Sequence, residues 1–172
     1  FKSPIGLSGT IDPLLTGMPA FQELGFGFLE IGPLVLKEPE IQLPPVWLAD
    51  QIAFSQSPEK VPLKRALRQL TKTPFNVPVF ARLDDSLNSL DLHTCIEQLT
   101  PFVDGFFVHK QQVALLNKAV GIPCYQIMSA EDALTTVSIS TNVVGVVLDP
   151  PYLTIENRMV ERKNSLHILQ QA

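Results

Sequence analysis

Short apolar runs alternate with amphipathic stretches along the whole chain. The runs at about Pro4–Ser8, Phe26–Ile31, Val77–Leu83, Gly105–His109, Ile122–Ile127 and Val143–Leu148 are nearly all apolar. That is the pattern of strands covered on both faces. Between them lie stretches with a 3.6-residue apolar period. One runs from about Thr16 to Leu24 and stops at Gly25. Another follows Pro62, with Leu63, Ala66, Leu67 and Leu70 on one face and Lys64, Arg65 and Arg68 on the other. Helices are also expected over Leu90–Leu99 and Gln112–Val120, and from a Ser129–Asp132 capping box to about Ile139. Prolines 39, 44 and 45 exclude regular structure over Lys37–Val46, and Val46–Ala49 reads as one arm of a short hairpin.

The rhythm amounts to about six βα units, so the fold class is α/β and TIM-barrel-like. A full (β/α)8 barrel takes about 250 residues, with about 200 as a lower bound. The 172 residues here fall short by about two units. Three arrangements stay open: two more units beyond the end, an incomplete barrel covered by a partner, or an open doubly wound sheet. Residues 1–154 form the β/α domain in this reading. Residues 155–172 form a closing helix, whose Ile155, Met159, Arg162, Leu166 and Leu169 follow heptad spacing. That helix is either an ordinary barrel helix or a seam for a homodimer or further domain.

Composition narrows the class of function. The chain is 45% hydrophobic and 17% charged, which suits a globular domain. A net charge of −4 with no basic stripe argues against nucleic acid. No apolar run is long enough to span a membrane. Cys95 and Cys124 read as two buried reduced thiols, and with no signal-like segment the expected location is cytoplasmic.

Candidate chemistry sits where strands end. His109 and Lys110 close one strand, at the end where barrel enzymes keep their reactive groups. The histidine there suits acid–base work, or merely begins a helix. Asp84 and Asp85 close another strand beside Arg82; paired carboxylates hold a metal or raise one pKa, and the same sequence is an ordinary turn and cap. Glu30, inside an apolar strand, is expected to pair with a buried cation or hydroxyl. Tyr152, after Asp149-Pro-Pro151, is placed to stack on a ligand or to end a turn. No metal-ligand spacing, Ser-His-Asp set, G-x-G-x-x-G or P-loop is present.

The first forty residues carry a resemblance. Gly6-Leu-Ser-Gly-Thr-Ile-Asp12-Pro13 and Gly25-Phe-Gly-Phe-Leu-Glu-Ile-Gly32-Pro33 resemble the start of the membrane-associated class of dihydroorotate dehydrogenases, which are FMN-dependent barrel enzymes. Their corresponding segments are Gly-Leu-Ala-Ala-Gly-x-Asp-Lys and Gly-Phe-Gly-x-x-Glu-x-Gly-Thr. The resemblance implies FMN lying against the small residues Ser8, Gly9 and Gly32. It also implies positions that have changed. Pro13 stands where the family's flavin- and orotate-contacting lysine would be, and Pro33 where a threonine would be. Ile52–Ser57 offers no substrate asparagine, Val108–Gln112 offers no serine base, and the glycine-rich phosphate cradle is missing. The expectation is a divergent domain without the dehydrogenase reaction, acting as a ligand-sensing or scaffold domain of a larger protein with a small-molecule ligand and no FMN. The alternative is an FMN-dependent oxidoreductase with altered site residues.

Overall fold

A computed structural model describes residues 3–38, 46–48, 52–54, 59–72, 74–116, 121–129, 132–133 and 140–148. Its elements, in chain order, are β1 (Gly6–Leu7), α1 (Met18–Glu23), β2 (Phe28–Val35), β3 (Val46–Leu48), β4 (Ile52–Phe54), β5 (Val61–Pro62), α2 (Leu63–Leu70), β6 (Val79–Leu83), α3 (Ser89–Leu99), β7 (Gly105–His109), α4 (Lys110–Val113), β8 (Cys124–Met128) and β9 (Gly145–Leu148).

Seven strands make one sheet in the order β1-β2-β6-β7-β8-β9, and β5 pairs with β2. Every pairing in it is parallel. Spatial order follows chain order without reversal. The sheet is therefore singly wound, a curled half-barrel, and the doubly wound alternative is set aside. Strands β1, β5, β6 and β7 are each followed by a described helix; the six units expected from the sequence are not completed within the described residues. The expected hairpin arm is present, with Val46–Leu48 pairing antiparallel to Ile52–Phe54. Ser129 Oγ accepts from the Asp132 amide at 3.0 Å, as the capping reading required. Residues 134–139 and the 155–172 segment with its heptad lie outside the described residues.

Two differences from the sequence reading have clear causes. First, β2 does not stop at Ile31 but continues through Pro33 to Val35. Its register with β6 shifts between Ile31 and Leu34. Gly32 sits at φ +113, which only glycine adopts readily, and a Cβ there would meet the Arg82 carbonyl at 2.6 Å. The bulge changes the face parity, so Leu34 joins Leu29 and Ile31 in the core. Second, α4 starts at Lys110, directly after β7, and not at Gln112.

The two sheet faces differ in chemistry. One carries Leu29, Ile31, Val79, Ala81, Phe106 and Val108, packed against Leu63, Ala66 and Leu70 of α2 and Leu92, Cys95, Ile96 and Leu99 of α3. The other carries an aromatic layer. Phe80 stacks on Phe107 with centroids 5.1 Å apart, and Tyr125 meets both edge-on at 5.7 and 5.9 Å. Gly105 makes room for Phe80, since a Cβ would meet its ring at 2.9 Å. Among the described residues no helix is long and apolar enough to cross a membrane.

Leu99 is fully buried where α3 faces the sheet. Leu99→Ala is expected to cost about 2–5 kcal/mol through lost burial and a residual cavity. Urea unfolding followed by circular dichroism would measure it as a lower midpoint at unchanged slope.

Candidate functional site

The candidate site is the C-terminal edge of the sheet, where β2, β5, β6 and β7 end together. Asp84 is its hub. The residue follows β6, and its amide donates to the Leu34 carbonyl of β2 at 3.0 Å. Its carboxylate takes the Lys60 ammonium at 2.9 Å, the Ser86 amide at 3.1 Å and the Ser86 hydroxyl. Its carbonyl accepts from Gln112 Nε2 at 2.6 Å. The other end of that amide, Gln112 Oε1, accepts from the His109 amide at 2.9 Å. One fully buried glutamine thus joins the ends of β6 and β7.

His109 is half-buried and forms a reciprocal capping box with Gln112 at the start of α4. This is the helix-start alternative of the sequence reading. Lys110, the first residue of that helix, is exposed. Asp85 is exposed while Asp84 is buried, so the two adjacent carboxylates occupy different environments. Burial pushes the Asp84 pKa up, but the hydrogen bonds from Ser86 and Lys60 and the Lys60 charge outweigh it. The net direction is below the ordinary value. No group of three or more potential metal ligands occurs among the described residues.

Deeper in the same face, Glu30 pairs with Arg82, and both side chains are buried. Of the buried cation or hydroxyl expected beside Glu30, β6 supplies the cation from across the strand pair. The Arg82 guanidinium lies 5.8 Å from the Phe107 ring centroid, so an aromatic face covers the ion pair. The cysteines add no nucleophile. Burial raises the Cys124 thiol to about 11, and burial with the nearby Asp91 charge raises Cys95 to about 11.

The residues carried over for FMN have other neighbours here. The side of Gly9 left open by its missing Cβ faces the Gly32 carbonyl, with the Glu30 carbonyl beside it. Ser8 closes its own turn, accepting from the Thr10 amide at 3.3 Å. Pro13, at the family's lysine position, accepts from the Gly32 amide through its carbonyl at 2.9 Å. Asp12 accepts from Thr16 Oγ1 at 3.0 Å and from the Gly17 amide at 2.7 Å, tying down the start of α1. The Cβ directions of both Gly9 and Gly32 thus face neighbouring backbone. Tyr152 lies outside the described residues.

Two members of the site escaped the sequence reading. Gln112 carried a readable signal, standing three residues after a strand-ending polar residue in capping-box spacing. Lys60 carried none, because 24 residues separate it from Asp84.

No family model matches the chain, and no curated protein matches it. Among solved structures it is similar to a protein of Burkholderia cenocepacia J2315 described as a lyase/mutase. The likeness has a TM-score of 0.42 at 15% identity, over 83% of this chain and 53% of that one. The chain thus spans about half the length of that protein, and so distant a likeness decides nothing about its chemistry.

Two outcomes test the site's electrostatics. Arg82→Met leaves the buried Glu30 carboxylate unpaired and is expected to cost about 3–5 kcal/mol, whereas adding Glu30→Leu should recover most of the loss. Chemical denaturation of the single and double variants measures both. For Asp84, a lowered folded pKa means stability that is fully present above its unfolded value of about 4 and is lost as pH falls through the folded value. The stability gap between wild type and Asp84→Asn should therefore hold above about pH 4 and close below it. A gap that widened on acidification would contradict the assignment.

Proposed function

We propose that this chain is a divergent, dihydroorotate dehydrogenase-like domain that works as a ligand-sensing or scaffold unit and does not carry out the dehydrogenase reaction. One observation carries the reading: the buried ionisable groups at and below the C-terminal strand ends are engaged by neighbours within the fold. Asp84 is held by Lys60 and Ser86, Glu30 by Arg82, and His109 by Gln112. A redox site would present such groups to substrate and flavin; here they join β2, β5, β6 and β7. Pro13, whose backbone serves β2, supports the same reading, since it offers no cation to an orotate-like carboxylate. The reduced, buried thiols support a cytoplasmic setting. The heptad positions Leu166 and Leu169 are the proposed seam of a homodimer.

Purified protein should be colourless, release no FMN on heating, and gain no thermal stability from added FMN or orotate. Yellow protein with stoichiometric FMN would overturn the proposal in favour of the oxidoreductase alternative. Light scattering should show a dimer that Leu166→Glu with Leu169→Glu converts to a monomer; a monomeric wild type removes the dimer.

A further inference from the structure

The opposite edge of the sheet, where strands begin, holds an open cleft of ≈ 460 Å³. Its walls come from the loop leading into β6 and the loop leading into β7. Phe75 and Phe102 supply aromatic surface, Pro74 and Pro78 stiffen the rim, and Asp104 stands among them. Phe102 is 38% exposed, so a large apolar side chain is held partly in water here. Asp104 Oδ2 accepts from the Val79 amide at 2.9 Å, which fixes the carboxylate. Its second oxygen has no protein partner among the described residues.

Leu70 is the last residue of α2 and lines the cleft. The Phe102 amide donates to the carbonyl of Leu99, the last residue of α3, at 2.8 Å. The ends of α2 and α3 therefore border a cleft that also contains a carboxylate. Among the described residues no lysine, arginine or histidine lines it. Two aromatic side chains and a carboxylate, with no lining cation among the described residues, suit a positive charge on an apolar body.

We infer that this cleft binds a small organic cation, an ammonium group on an aromatic or aliphatic body, with the nitrogen on Asp104 and the body against Phe75 and Phe102. The cleft and the strand-end network lie at opposite edges of the sheet, so this inference stands or falls apart from the proposed function. Benzylamine is the probe, with benzyl alcohol and benzoate as neutral and anionic counterparts of the same shape. Amide NMR titration of the full chain should show saturable shifts at Asn76, Val77 and Val79 with benzylamine. The two counterparts should bind at least about tenfold more weakly, the size expected of one hydrogen bond to a charged group. Asp104→Asn keeps an acceptor for the Val79 amide and should weaken benzylamine by a similar factor. Added salt should weaken wild-type binding. If Asp104→Asn fails to fold, Phe102→Ala should weaken benzylamine instead. Absence of saturable binding, equal binding of benzyl alcohol or benzoate, or unchanged affinity in a folded variant overturns the inference.

Discussion

Two parallel strands cannot be joined by a tight turn, so the chain must cross a face of the sheet between them. Here consecutive strands are spatial neighbours in one direction, β1-β2-β6-β7-β8-β9. Such crossovers keep one hand, so the described helices α2 and α3 fall on the same side. That single constraint divides the molecule. The crossover side receives α2 and α3 and becomes the aliphatic core. On the other side, among the described residues, Phe80, Phe107 and Tyr125 form a layer of mutually packed rings. A doubly wound sheet would have placed helices on both sides and left no such aromatic layer.

The same constraint collects every strand's C-terminal end at one edge. There the exposed peptide groups and the charges that follow the strands must be satisfied without the next rung of the ladder. Asp84 and Gln112 do this by joining β2, β5, β6 and β7 through side-chain bonds. The Glu30–Arg82 pair does similar work one layer in, where neither charge is tolerable alone. The carboxylates of Asp84 and Glu30 are thus engaged by cations within the fold.

Much of the architecture was legible in the chain because strand burial and helix amphipathicity leave periodic traces. Gly105–His109 was readable residue for residue, and α3 to within one residue. The failures share a cause. The extent of β2 through Pro33 depends on a bulge whose register is set by β6, and Val61–Pro62 is a strand only because Leu34 and Val35 lie beside it. Neither segment has local strand character strong enough to reveal this. In the site, Glu30's need for a partner could be read from its apolar surroundings, but the identity of Arg82 could not.

The sequence by itself determined the α/β class and the placing of polar residues at strand ends. These are local facts, written in residue type and spacing. Only the tertiary structure decided the winding of the sheet, the use of Gly9 and Gly32 for close backbone approach, and the assembly of Lys60, Asp84 and Gln112 into one network. Those depend on which strands become neighbours, and a pairing between residues tens of positions apart leaves no mark on either segment alone.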